Sequence, residues 1–154
     1  MIEYIKHKKK ILALIINQKK IKKKVEFFTP KNFTQQVGYI SHLKNTYIKP
    51  HTHNKFLRKI YGTSEVLIVK SGKIRVDFYE MKKKYLFSKL VDKNNIIILC
   101  QGSHGFKFIK NSSLIEVKQG PYDIKLDKIR FEPVKENKIK IKWFNLYLTL
   151  LLFF

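Results

Sequence analysis

Residues 65–79 read EVLIVKSGKIRVDFY, and this stretch decides the fold class. Two runs of β-branched and aromatic residues flank Ser71-Gly72, and each run has the length of an ordinary strand. Gly72 can take the positive φ that a tight two-residue turn requires. The stretch therefore predicts a β-hairpin whose strands are Glu65–Lys70 and Lys73–Tyr79.

Similar short apolar runs lie on both sides of this hairpin, and each is bounded by Gly, Asn, Asp or a cluster of lysines. The other predicted strands are Lys10–Ile16, Gln36–Leu43, Thr46–Thr52, Lys84–Leu90, Asn95–Cys100, Gly105–Ile109 and Ser113–Lys118. No convincing amphipathic helix interrupts them. Nine short strands without a helix indicate an all-β single domain, either a sandwich or a barrel.

Charge is the most unusual feature of the composition. The 154 residues include 33 Lys+Arg and 11 Asp+Glu, which gives a formal charge of +22. Only Arg58, Arg75 and Arg130 are arginine, although recognition of phosphates and bases favours the guanidinium group. A/T-rich codon usage explains the lysines at least as well as a ligand does, so we expect no nucleic-acid partner.

Cysteine usage and hydropathy limit where the protein acts. Cys100 is the single cysteine, which excludes an internal disulfide framework and fits a reducing, cytoplasmic compartment. No segment reaches the roughly 20 apolar residues of a membrane span. The tail Trp143–Phe154 reads WFNLYLTLLLFF. It is compatible with a last strand, a docked helix, an interfacial anchor or out-of-frame read-through.

Three histidines and a glutamate form the candidate metal site. On an extended strand, side chains two residues apart share a face, so His51 and His53 would project together and could grip one ion. The same spacing also occurs in simple surface pairs. Glu65 leads an apolar strand, where a carboxylate needs a cationic partner. His104 follows a turn at Gly102 and supplies a third imidazole.

In this order the residues resemble the two motifs of the cupin superfamily. The first motif is matched by His51, His53, Glu65 and Gly72, and the second by Gly102 and His104. A bacterial subgroup of small single-domain cupins, usually described as uncharacterised, is similar at FFTPKNFTQQVGYI (Phe27–Ile40), EVLIVKSGKIRVDFY (Glu65–Tyr79) and IEVKQGPY (Ile115–Tyr122). The resemblance covers about Ile2 to Pro133. It implies a jelly-roll β-barrel that holds a divalent metal on three histidines and a glutamate.

The chain also departs from these motifs. Eleven residues separate His53 from Glu65, where the usual motif has three or four, and one residue instead of two separates Gly102 from His104. Asn94 and Cys100 replace the glycine and the proline of the second motif, respectively. Asn tolerates positive φ, so Asn94 is a mild change. We expect Cys100 itself to be an inert buried thiol.

The resemblance sets the remaining expectations. A basic N-terminal strand region at 1–24, a cupin domain at 25–134 and a basic, apolar tail at 135–154 are the expected divisions. The ligand set suits one divalent transition metal among Fe, Mn, Ni, Cu and Zn. Arg58, Arg75, Lys118 and Tyr122 are candidates for binding an anionic small-molecule substrate. A homodimer is expected, because cupins commonly pair through sheet edges.

Several functions fit such a site. The first is a metal-dependent isomerase, epimerase or lyase on a carbohydrate or small oxygenated acid, as in polysaccharide biosynthesis. A non-catalytic metal- or sugar-binding regulatory module and an iron-dependent dioxygenase are the alternatives. Whether the protein is an enzyme therefore stays open, because no separate general base stands out beside the four ligands.

Overall fold

The computed structural model describes residues 2–123, 125 and 127–143. Within them the chain forms ten β-strands and two 3-10 helices of three residues each. The strands are β1 (Ile2–His7), β2 (Lys10–Asn17), β3 (Val25–Phe27), β4 (Gly38–Ile40), β5 (Glu65–Ser71), β6 (Lys73–Tyr79), β7 (Tyr85–Asp92), β8 (Asn95–Leu99), β9 (Ser103–Phe108) and β10 (Ser113–Lys118). The 3-10 helices are Gln18–Lys20 and Glu136–Lys138. The protein is all-β, as the sequence predicts.

Three antiparallel sheets contain these strands. The largest has the order β1-β2-β8-β5-β10, a second has the order β7-β6-β9, and β3 pairs with β4. Alternate side chains of the two larger sheets face each other and form the main core, which includes Ile15, Leu67, Val76 and Phe78. This arrangement is a β-sandwich.

The middle strands of the five-stranded sheet, β2, β8 and β5, are buried on both faces. Leu14, Val66 and Ile98 point away from the main core and pack with Phe28, which directly follows β3. A strand with two buried faces needs a continuous apolar run instead of an alternating one. This explains why β2 reads KILALIIN and why the basic N-terminal region is an integral part of the sheet.

The sandwich is closed on one side and open on the other. Ile5 of β1 and Phe87 of β7 are buried where these two edge strands approach each other. On the opposite side, β9 and β10 are also edge strands, and Phe106 and Phe108 of β9 are 37% and 56% exposed. We call the gap between β9 and β10 the open flank. In the described part of the chain, the sheets therefore do not close into the expected barrel.

Two turns follow the sequence prediction closely. Gly72 has φ of 78°, and a Cβ there would lie 2.1 Å from Ser112 Oγ and 2.2 Å from the Asn111 carbonyl oxygen. Only glycine fits that turn. Asn94 takes the positive φ expected of it, at 69°.

One predicted strand is wrong. Residues 41–64 contain no strand and all but Ser64 are exposed, so Thr46–Thr52, which carries the two spaced histidines, is irregular. The strand predicted at Gln36–Leu43 is shorter in the structure, where only the three residues of β4 are extended and paired. The sequence interpretation also missed β1 and β3.

The C-terminal residues cross the outer face of the three-stranded sheet and then pair with the free edge of β7, where Ser88 lies opposite Ile141. The Phe131 ring contacts Tyr79 at a centroid distance of 5.1 Å. Further along, Ser88 of β7 donates its N–H to the Lys140 carbonyl at 2.8 Å and accepts from the Lys142 N–H at 2.9 Å. The apolar tail beyond Trp143 lies outside the described residues. Among those that are described, no helix is long and apolar enough to cross a membrane.

Candidate functional site at the open flank

Glu65 and His104 meet at the open flank. Glu65 begins β5 on the same face as the core residues Leu67 and Val69, and it is 4% exposed. His104 lies opposite Phe78 in the neighbouring sheet, so it also faces inward. His104 Nε2 lies 2.9 Å from Glu65 Oε2, although the residues are 39 positions apart. The two predicted ligands that come from opposite sheets are thus brought together.

The surrounding cations favour an ionised Glu65. The hydrogen bond donated by His104 lowers the pKa of Glu65 most, burial of the carboxyl group opposes this, and Lys128 and Lys118 lower the pKa further. Lys128 Nζ lies 3.6 Å from Glu65 Oε1. One carboxylate oxygen therefore accepts from His104 and the other faces the Lys128 ammonium group, and the ionised form is the one that ligates a metal.

Lys118 lies beside this pair. It is opposite Glu65 in the register between β10 and β5. Its ammonium group donates to Asp127 Oδ2 at 2.7 Å and lies 4.2 Å from the centroid of the Tyr122 ring. The hydrogen bond with Asp127 raises the pKa of Lys118. Of the predicted substrate-binding residues, Lys118 therefore lies next to the Glu65–His104 pair, and Tyr122 contacts Lys118.

The two predicted arginines lie elsewhere. Arg75 alternates with the core residues of β6, so its guanidinium group is on the outer face of the sheet. There it pairs with Asp77 at 2.8 Å and with Glu136 at 2.8 Å. Arg58 lies in the exposed segment 41–64, where it stacks on Phe56 at 3.6 Å from the ring centroid.

His51 and His53 form a second pair, in the exposed segment. Their ring centroids are 5.2 Å apart in an edge-on arrangement. His51 Nδ1 donates to the Lys49 carbonyl at 3.1 Å. Among residues 2–123, 125 and 127–143, no group of three or more His, Cys, Asp or Glu side chains is placed to hold a metal ion. The four predicted ligands thus occur as two pairs, and their convergence on one ion stays a prediction.

The Glu65–His104 pair has the chemistry of half a metal site. One carboxylate oxygen and one imidazole nitrogen are donors that divalent transition metals take. The site is half-buried, because Glu65 is covered while the His104 side chain is 25% exposed. Phe106 stacks against His104 at 5.2 Å and supplies an apolar wall. Such a place can bind a small ligand at a fixed carboxylate and imidazole.

Sequence reasoning missed Lys128 and Asp127. Both follow β10 beyond the Gly120-Pro121 turn, and no strand or motif pattern marks them as neighbours of Glu65. Cys100 is half-buried, and burial raises the pKa of its thiol to about 12, which disfavours the reactive thiolate. No protein-family model, curated protein or solved structure matches the chain. The case for a function therefore depends on the geometry of the site itself.

Proposed function

We propose that the chain is a cupin-type metal-binding protein in which Glu65 and His104 hold one divalent transition metal, with His51 and His53 completing the ligand set. The observation that carries this proposal is the 2.9 Å approach of Glu65 and His104 across the open flank. A carboxylate and an imidazole from separate sheets meet there on a half-buried surface. Core packing does not require either group at that position.

The segment 41–64 supports the second half of the proposal. It follows β4 and leads directly into Glu65, so its C-terminal end is tied to the site. Its residues are exposed except at Ser64, which means that movement toward the flank would break few packing contacts. A jelly-roll closure of the sandwich by this segment would place His51 and His53 beside the fixed pair.

The neighbouring residues indicate what the site would act on. When bound, the metal would supply a Lewis acid that polarises an oxygen of the substrate. Lys118 would hold an anionic oxygen of the same molecule. Phe106 and Phe108 would exclude water on one side. These features favour a small oxygenated acid or a carbohydrate, and a reaction of the isomerase, epimerase or lyase type.

Lys118 distinguishes this function from a binding module without turnover. A catalytic site needs groups that stabilise charge developing on the substrate, and the protonated Lys118 opposite Glu65 would do so. We therefore favour the catalytic function and propose that the protein works in the cytoplasm on a soluble substrate. A homodimer through the unpaired edges of β9 and β10 completes the proposal.

Metal content measured by elemental analysis tests the proposal. Purified protein is dialysed against an equal mixture of Mn, Fe, Ni, Cu and Zn at low concentration and then against buffer. We expect close to one ion per chain in the wild type. Removal of one ligand typically costs far more affinity than removal of a supporting residue, so Glu65→Gln and His104→Gln should retain almost none.

A matched control separates ligation from general histidine binding. His42 lies in the same exposed segment as His51 and His53 but outside the motif. His42→Gln should keep its metal, whereas His51→Gln should lose most of it. Circular dichroism establishes that each variant is folded. Equal metal content in the folded wild type, Glu65→Gln and His104→Gln would contradict the proposal.

A further inference from the structure

A cavity of about 340 Å³ lies at the end of the sandwich opposite Glu65. Leu99 of β8 pairs with Glu65, whereas Asn95, at the other end of the same strand, lines the cavity. Leu99 and Asn95 are four positions apart along the strand, which corresponds to about 13 Å. We call this space the end cavity. It is separate from the open flank and shares no residue with the proposed metal site.

Lys89 is the unexpected residue in its wall. It lies on the inner face of β7, opposite Val76, and is only 6% exposed. Its ammonium group donates to the Glu3 carboxylate and, at 3.0 Å, to the Trp143 carbonyl. A hydrophobic residue would pack against Val76 at a lower desolvation cost. Lys89 therefore fixes an ammonium group at the inner surface of the cavity, where the Glu3 carboxylate compensates its charge.

Three further lysines, Lys20, Lys73 and Lys142, line the same space. Lys73 pairs with Asp92 at 3.2 Å, as Lys89 pairs with Glu3. The ammonium group of Lys142 lies 4.1 Å from the centroid of the Phe87 ring. Within residues 2–123, 125 and 127–143, Lys142 makes no ion pair. The wall thus carries four lysines and two carboxylates, Glu3 and Asp92, so positive charge is in excess there.

We propose that the end cavity binds a small phosphate-bearing molecule, held by Lys142 and Lys73 with Lys89 behind them. A phosphate monoester carries close to two negative charges and several acceptor oxygens, so it can contact more than one ammonium group at once. The volume of the end cavity is near the lower limit for ligand pockets, which are roughly 300–1,000 Å³. This size favours a single phosphorylated metabolite over a nucleic acid.

Trp143 gives the proposal a direct readout. It is the only tryptophan of the chain and it lines the cavity, where its side chain is largely exposed. A ligand in the cavity changes the surroundings of the indole ring. Binding can therefore be followed by intrinsic fluorescence without a label.

The test is a fluorescence titration with glucose 6-phosphate, inorganic phosphate and unphosphorylated glucose, at constant ionic strength and with a chelator present. We expect a saturable change with half-saturation below about 5 mM for the two phosphates, and none for glucose. No saturable change with either phosphate would overturn the proposal. Repeating the titration in Glu65→Gln separates it from the metal site, because the end cavity should bind phosphate equally well in that variant.

Charge variants locate the binding. Lys142→Gln and Lys73→Gln should each raise the half-saturation about tenfold, since each removes one charged contact. The Lys73–Asp92 pair is partly solvent-exposed, at 30% and 53%, so its loss should leave the fold intact. Lys31→Gln removes the same charge from an exposed turn away from the cavity, and it should stay within twofold of the wild type. Equal weakening in Lys31→Gln would mean unspecific attraction and would overturn the proposal.

Discussion

Arg75 anchors a buried ion pair whose removal should destabilise the whole sandwich. Arg75 Nε and Nη2 donate to the two carboxylate oxygens of Asp77 at 2.8 and 3.0 Å. Both side chains are less than a tenth exposed. The other side of the guanidinium group binds Glu136, which is 60% exposed. Replacing Arg75 by methionine would leave the Asp77 carboxylate buried, with the Ser88 hydroxyl as its remaining donor.

The expected magnitude follows from this burial. Breaking a buried pair on one side costs about 3–5 kcal/mol, because the remaining charge stays desolvated. For a chain of this size, 1 kcal/mol lowers Tm by about 2–4 °C, so Arg75→Met should lower Tm by about 6–20 °C. The double variant Arg75→Met/Asp77→Leu should recover most of the loss, since it leaves no unpaired charge.

Urea denaturation followed by far-ultraviolet circular dichroism measures both variants. The midpoint should fall in Arg75→Met while the m-value stays unchanged, because the surface exposed on unfolding is the same. A loss below about 1 kcal/mol in the single variant, or no recovery in the double variant, would refute the argument that uncompensated burial sets the cost.

Three further perturbations have defined outcomes. Gly72→Ala should lower the free energy of unfolding, measured by urea denaturation, by about 2–4 kcal/mol. Gly62 has a similar φ of 77° but open space around it, so Gly62→Ala should lower it by about 1 kcal/mol. Equal losses in the two variants would refute the predicted clash at Gly72. The hydrogen bond from Arg75, and to a smaller extent the one from Lys107, lowers the pKa of Glu136 from 4.5 to about 2. The stability that Glu136 contributes is therefore present above pH 4.5 and lost as the pH falls through about 2, so urea midpoints of Glu136→Gln should fall less than those of the wild type over that range. Alkylation of Cys100 by iodoacetamide at pH 8 should be at least about a hundredfold slower in the folded protein than in urea, and equal rates would contradict its burial.

The two central hairpins, β5–β6 and β7–β8, could be predicted because residues within each turn and strand mark them. The β5–β6 turn contains a glycine at a position where only glycine fits, and the β7–β8 turn contains Asn94, which tolerates positive φ. Continuous apolar runs identify β2, β5 and β8, and each is buried on both faces. Turn chemistry and burial therefore agree in these segments.

The β1–β2 hairpin could not be found in this way. Its turn contains Lys8 and Lys9 with φ of 45° and 63°, a region that lysine seldom adopts. No residue in the turn signals a reversal of the chain. Pairing with β2, which buries Ile5, outweighs the local preference of the lysines.

The error at Thr46–Thr52 has the opposite cause. The run contains β-branched and aromatic residues, but strand propensity describes how a residue fits next to a partner strand. In the structure no strand pairs with this segment. His51 and His53 consequently lack the shared strand face that the prediction assumed. Glu65 and His104 lie close together because β5 and β9 are each held by pairing with a neighbouring strand and by the core.

The most direct measurement of the metal hypothesis is anomalous diffraction at the absorption edge of the metal found by elemental analysis. We predict a single strong peak at the open flank, about 2.0–2.2 Å from a carboxylate oxygen of Glu65 and from His104 Nε2. Electron density for His51 or His53 beside the same peak would complete the proposed site. Crystals of metal-loaded protein in which the peak lies elsewhere, with the direct hydrogen bond between Glu65 and His104 intact, would contradict the account.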